Sequence, residues 1–265
     1  MTIHDLDGQL ENLNAYWQGW GHRERSDGPD VVFHSSGLQH PLPNGVTHSA
    51  APAGQLLPEL RERLADVPWA WQVTELAPEG TAEELLALGG SDLGSIPVMA
   101  LDVEQYQPLV PTDQTPRIEQ LPAGADLTEW AHAWGGPLGM PAEDMVRLPA
   151  IDAGRPYEQD ALARFVAVVD GRVVATTEVL MAGGVAGLYL VATLEPYQRR
   201  GLATALVDAA VRHAADAGAP LVTLQASEAG ARVYERLGFE TVSQIRVVGF
   251  GPTAPDEPAE VGAPA

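Results

Sequence analysis

The sequence of 265 residues contains no cysteine and no lysine. Without thiols there is no disulfide framework, no thiolate metal site and no cysteine nucleophile. Without lysine, all 15 basic residues are arginine; they face 36 acidic ones, for a formal net charge of −21. Such a field disfavours nucleic acid and anionic membranes as partners and draws cationic molecules, although surface acids also serve solubility alone. No apolar run approaches the length of a membrane span, and Met1–Gln9 lacks the charged and apolar regions of a signal peptide. The expectation is a soluble, cytoplasmic protein. The length leaves room for one large domain or two small ones.

What is present centres on residues 185–217. Val185–Thr193 is a short apolar run rich in β-branched and aromatic residues and reads as a strand. From Leu202 a helix follows, with Thr204, Asp208, Arg212 and Asp216 four apart on one expected solvent-facing stripe. Gly218 and Pro220 stop it. Between strand and helix lies Gln198-Arg199-Arg200-Gly201-Leu202-Ala203. The first turn of a helix has unpartnered N–H groups and the positive end of the macrodipole, so this arginine-bearing junction is a candidate anion site.

A second strand is expected over Leu221–Ala226, followed by Ser227, Gly230 and then Val-Tyr-Glu-Arg-Leu-Gly-Phe at 233–239. The pair Q-R-R-G-L-A and Y-E-R-L-G-F, some thirty residues apart, resembles the GNAT superfamily of N-acetyltransferases, which move an acetyl group from acetyl-CoA to an amine. The resemblance runs from about Thr115 to Gly249. It implies that Gln198, Arg199, Arg200, Gly201, Leu202, Ala203 and Thr204 wrap the CoA diphosphate, and that Tyr234 is the general acid near the thioester sulfur. It also implies that Leu190, Val191, Ala192 and Thr193 splay from the neighbouring strand and hold the pantetheine arm by main-chain groups. A backbone N–H near Val191 then polarises the thioester carbonyl. Ser227 stands where family members often carry Asn, can still donate and accept a hydrogen bond, and is expected with Tyr234 to contact the cofactor.

The first half reads as a similar succession of elements. Helices are expected over Leu6–Trp20, Gln55–Leu64 (with Pro58 in its first turn) and Ala82–Leu88, and strands at Val31–Phe33, from Val46, at Trp69–Val73 and at Ile96–Val103. This half therefore resembles a degenerate copy of the same fold. Its would-be cofactor loop, Ser49–Gly54, has no arginine, so no CoA is expected there. His22, His34, His40 and His48 fit no metal-ligand spacing, and no metal site is expected. The fold class is accordingly α/β, a mixed and mostly antiparallel sheet flanked by helices. Its expected divisions are a degenerate domain at 1–107, a Pro-rich linker at 108–116, a catalytic domain at 117–250 and a disordered tail at 251–265.

In the second half, Leu127–Trp134 has helical spacing; the resemblance implies that Trp130, Trp134 and Met140 could wall the acceptor pocket, while packing is the favoured reading. Asp170-Gly171 marks a tight hairpin between strands 164–169 and 172–180. An amine attacks a thioester only when neutral, so a base is needed. Glu178, the one carboxylate within the central strands, is the candidate, with water or a C-terminal carboxylate as the alternatives. The acceptor is expected to be a small-molecule amine or a peptide amino group, which the resemblance implies attacks the thioester directly in a ternary complex, and the chain is expected to be a monomer or homodimer. Two other classes stay open: a CoA-binding sensor without turnover, and a tandem whose first half mediates dimerisation.

Overall fold

The computed structural model describes residues 2–110, 112, 115–158 and 160–252. The expected tail lies, from residue 253 onward, outside the described residues. In chain order the elements are α1 (Leu6–Gly19), β1 (Glu24–Asp27), β2 (Val31–Ser35), β3 (Asn44–Ser49), α2 (Ala53–Arg63), β4 (Trp69–Val73), α3 (Thr81–Ala87) and β5 (Ser91–Asp102). There follow β6 (Ile118–Gln120), α4 (Thr128–Gly135), α5 (Leu148–Ala153), β7 (Leu162–Val169), β8 (Arg172–Ala182) and β9 (Val185–Thr193). The last are α6 (Leu202–Asp216), β10 (Leu221–Gln225), α7 (Glu228–Arg236) and β11 (Glu240–Phe250).

The strands form one 11-stranded sheet in the order β1-β2-β3-β4-β11-β5-β10-β9-β8-β7-β6. Among the described residues only β3/β4 and β9/β10 are parallel. Each parallel pair is joined by a crossover helix, α2 in one case and α6 in the other, as parallel neighbours require. In each half a further helix then leads to a last strand, and these last strands trade places. β5 pairs with β10, β11 pairs with β4, and the two pair with each other at the centre, with Ile96 opposite Ile245. The Asp170-Gly171 turn joins β7 to β8 with both residues at positive φ, 51° and 77°, which a two-residue hairpin of this hand needs.

The first half also contributes α1 to the second. Asn12 on this helix donates through Nδ2 to the carbonyls of Leu180 and Ala182 at 2.9 and 3.0 Å, and the Tyr16 ring stacks on Tyr189 at 3.5 Å. Gly8 lets the helix close on the β8–β9 turn, since a Cβ there would stand 2.5 Å from the Gly183 carbonyl oxygen. One core lies under α1 and α4, a second under α6 and α7, and a third around Trp69, Trp71 and Leu57 against α2 and α3.

Several expectations are corrected. The polar stripe of α6 does not all face solvent. Asp208 is buried because the segment after β5 lies along the helix, where Tyr106 Oη and Leu109 N each donate to Asp208 Oδ1 at 2.7 Å. Pro58 falls in the second turn of α2, which begins at Ala53. β5 begins at Ser91, five residues before the expected Ile96, because it runs beside the whole length of β11. β1, β6 and α5 were not expected; they are short and, in β1 and β6, polar, held by neighbours rather than by their own periodicity.

Candidate active site

The parallel ladder between β9 and β10 stops early. It pairs Val222 with Ala186, Thr223 with Gly187 and Leu224 with Leu188, and goes no further. Beyond that point β9 runs on to Thr193 while β10 stays on β5, where Ala226 N donates to the Pro97 carbonyl at 3.0 Å. The two strands therefore open into a cleft along Leu190–Thr193, on the side of β9 away from β8.

At the mouth of the cleft β9 carries a bulge. Its register with β8 slips between Thr176, opposite Ala192, and Glu178, opposite Tyr189, so that Leu190 and Val191 share one partner position. Leu190 has φ of +50°, a conformation unfavourable for a bulky side chain, and Thr176 Oγ1 donates to its carbonyl at 2.8 Å. The bulge turns the main chain of Leu190–Val191 toward the cleft, where both residues line a cavity. No glycine or other local signal in the sequence announces it.

Beyond Thr193 the chain makes a short 3-10 turn over Glu195–Tyr197 and enters the arginine loop. Arg199 and Gly201 have φ of +61° and +77°, and Gly201 occupies the cap position of α6 with no side chain closing it. The amides of the first turn are thus left open, as an anion site needs. Arg199 and Arg200 are exposed and form no ion pair among the described residues, although Arg200 Nη2 donates to the Pro196 carbonyl at 2.8 Å. Gln198 Nε2 reaches back to the Thr193 carbonyl at 3.3 Å, and Thr193 Oγ1 is buried without a hydrogen-bond partner. Open amides, two unpaired guanidinium groups and an orphaned hydroxyl fit a diphosphate and the arm that follows it. Leu202 is packed in the core and Ala192 is buried, so both can contribute only main-chain groups. Ala203 and Thr204 are half-buried in the first turn.

Tyr234, on α7, lines the same cavity as Leu190 and Val191, its ring edge-on to Phe239 at 5.8 Å. Burial raises its pKa above the ordinary phenol value, so it keeps its proton at neutral pH. Ser227 plays a structural part, since its Oγ caps α7 by accepting from Gly230 N at 3.0 Å.

Glu178 does not stand as the free carboxylate expected of a base. It is fully buried, Oε1 accepts from Tyr16 Oη at 2.6 Å, and Oε2 is paired with Arg155 Nη2 at 2.5 Å, with Arg164 Nε 3.3 Å away. Arg155 and Arg164 also grip Asp152 at 2.8 and 2.6 Å, closing a cluster of two positive and two negative groups. Burial pushes the Asp152 pKa up, but Arg155 and Arg164 beside it more than offset this and hold it below the usual range. Glu178 does not line the Tyr234 cavity. Trp130 and Trp134 are core residues, as packing predicted, with Trp130 Nε1 donating to Asp152 at 2.9 Å; Met140 is buried in the same core.

Of the rest of the cavity, Leu138, Leu188, Tyr189, Leu224 and Gln225 come from the second half of the chain, and the facing side comes from the first. Tyr16 and Trp17 on α1, His40 and Leu42 in the loop before β3, and Gln72 on β4 face the splayed strands. No local pattern marks them, because they reach the site only through α1 crossing β9 and through the exchanged last strands. In the equivalent junction of that half, before α2, the open amides are already taken: Glu84 on α3 accepts from Ala53 N and Gly54 N, both at 3.1 Å. His34 is buried beside Trp17, 5.7 Å between rings, and burial pushes its pKa down to about 3. No group of three or more His, Asp or Glu among the described residues is placed to hold a metal ion.

Residues 128–239 match the model of the acetyltransferase (GNAT) family. No curated protein sequence matches the chain. Among solved structures, a GCN5-related N-acetyltransferase from Kribbella flavida superposes with a TM-score of 0.67 at 19% identity, over 94% of this chain and 96% of that one. One from Sphaerobacter thermophilus has a TM-score of 0.54 at 20% identity, over 80% and 66%. A tandem GNAT protein from the clavulanic acid biosynthesis pathway has a TM-score of 0.55 at 18% identity, over 84% and 79%. At such identities the likeness is one of fold. Residues 128–239 thus match the acetyltransferase (GNAT) family, within a chain that shares the fold of GCN5-related and tandem GNAT proteins.

Proposed function

We propose that the chain is an N-acetyltransferase that uses acetyl-CoA and passes the acetyl group directly to an amine within a ternary complex. The observation that carries this reading is the convergence on one cavity of the opened end of β9, the bulge at Leu190–Val191 and Tyr234, with the unpaired arginine loop at the next helix start.

Bound there, acetyl-CoA supplies an activated acetyl thioester. The amides opening α6 at Leu202, Ala203 and Thr204, with Arg199 and Arg200, hold the diphosphate, and Gln198 keeps the loop on Thr193. The main chain of Leu190, Val191, Ala192 and Thr193 positions the arm, and the amide at Val191 stabilises negative charge developing on the carbonyl oxygen. Tyr234 holds a proton at Oη for the departing sulfur. Water in the cavity removes the amine proton, since Glu178 is committed to two arginines.

The chain is read as two repeats of one fold, a degenerate one over 1–107 and a catalytic one over 117–250, joined by 108–116 and exchanging their last strands. The matching sequence of parallel pair, helix and last strand in each half supports this. Glu84 fills in the first repeat the place that the diphosphate takes in the second. The acceptor is a small amine or a peptide amino group.

Incubation with acetyl-CoA and amines, followed by free-thiol release, tests the reading. Tyr234→Phe is expected to lower kcat about 10²-fold with little change in acetyl-CoA affinity. An unchanged rate and pH profile would remove Tyr234 from the chemistry.

A further inference from the structure

The acceptor side of the cavity carries no formal charge. No Asp, Glu or Arg lines it, in a chain with a net charge of −21. Its walls are aromatic and aliphatic, from Tyr16, Trp17, Leu42, Ile96 and Leu138. His40 also lines it and stays neutral, because burial pushes its pKa down to about 4. Its Nδ1 accepts from Leu42 N at 3.1 Å, which leaves the ring proton on Nε2.

Three side-chain amides line the cavity; Gln225, at the end of β10, is half-buried, and the two on the first-half side, Asn44 and Gln72, differ. Asn44 is fully used: Oδ1 accepts from Ser36 N at 2.9 Å, while Nδ2 donates to the carbonyls of Leu38 and His40 at 2.8 Å each. Gln72 is 7% exposed, lines the cavity, and its Oε1 is buried with no hydrogen-bond partner. A buried acceptor without a donor is costly, and such groups in native proteins are characteristically completed by water or ligand. The side chain projects from the same face of β4 as Ala70, which also lines the cavity, while Trp71 between them turns into the opposite core.

These features select among amines. A polyamine or aminoglycoside would have to shed the water around several ammonium groups with no carboxylate to receive them, and an amino acid would bring a carboxylate with no arginine to meet it. A monoamine with an apolar body loses one proton and leaves nothing charged behind. The acidic surface raises the local concentration of the cation outside, while the neutral wall accepts the free base.

Resting on the acetyl-transfer reading, we propose that the cavity between α1, β4 and the opened β9 is the acceptor site for a monoamine with an aromatic or aliphatic body, and that Gln72 Oε1 positions it by accepting a hydrogen bond from it. Gln72 is a positioning and specificity-determining residue rather than a catalytic one.

The test compares tryptamine and 2-phenylethylamine with spermidine, kanamycin and phenylalanine as acceptors for the full chain, by free-thiol release, alongside calorimetry with acetyl-CoA. The two arylalkylamines are expected to exceed the others in kcat/KM by tenfold or more. Gln72→Leu should raise their KM about fivefold while leaving kcat and acetyl-CoA affinity within twofold, and Gln72→Asn should recover part of the loss. Gln72→Glu, which brings a carboxylate to the wall, should narrow the discrimination against spermidine about tenfold. A preference of the unaltered chain for spermidine, kanamycin or phenylalanine overturns the proposal, whatever the variants do. So does an unchanged KM in a folded Gln72→Leu protein. Thiol release from none of the amines, with acetyl-CoA still bound, defeats the acceptor assignment alone; failure to bind acetyl-CoA defeats the parent reading and this one with it.

Discussion

Replacing Glu178 by Gln separates two roles that the residue could hold. In the structure it is one of two negative groups in a buried cluster with Arg155 and Arg164, and Asp152 is the other. The substituted amide would keep a hydrogen-bond acceptor for Tyr16 but would leave the buried Arg155 and the half-buried Arg164 facing one carboxylate. Removing one partner from a buried ion pair costs about 3–5 kcal/mol. For a chain of this size each kcal/mol moves the melting temperature by about 2–4 °C, so a fall on the order of 10 °C is expected in circular-dichroism melts. Thiol release measured well below that melting point should stay within about threefold of the parent, because the residue does not reach the Tyr234 cavity. The account would be refuted by an unchanged melting temperature together with a rate loss of about 10²-fold, the behaviour of a general base. Arg155 serves as the control: Arg155→Met in the Glu178→Gln background should recover stability relative to either single change, since the excess buried charge is then removed.

Other perturbations report on separate parts of the fold. Glu84→Ala opens the amides of Ala53 and Gly54 and should cost about 0.5–2 kcal/mol in urea unfolding without affecting turnover; no loss would mean that the carboxylate does not cap α2. His34 has a folded pKa of about 3, below its usual value of 6.5, so the unfolded chain takes up the proton first as pH falls. Its contribution is therefore intact above pH 6.5 and lost on descending from there toward 3, about 2 kcal/mol by pH 5. His34→Phe should flatten the melting temperature between pH 7 and 5; an equally steep decline in the variant would place the acid sensitivity elsewhere.

The legible parts of this molecule were those written in short-range chemistry. Apolar spacing marked α1 and α6, Asp170-Gly171 marked the β7–β8 hairpin, and Gly201 beside two arginines marked the open helix start. What was illegible depends on residues far apart in sequence. Nothing near Glu178 reveals that Arg155, Arg164 and Tyr16 meet it, and the outward stripe of α6 fails at Asp208 only because Tyr106, 102 positions earlier, lies over it. The exchange of β5 and β11 has the same origin. Each strand is readable alone, but its neighbour is chosen by the packing of both halves, and that exchange is what brings Gln72 and Ile96 to the mouth of the β9–β10 cleft.

The central claim is that the junction at Gly201 grips a diphosphate. Titration calorimetry with CoA, comparing the parent chain with Arg199→Ala/Arg200→Ala, tests it most directly. The account predicts saturable heat from the parent and affinity weakened about tenfold or more in the double variant, whose melting temperature should be unchanged because both side chains are exposed. Equal affinity in the two proteins, or no heat from the parent, would contradict it.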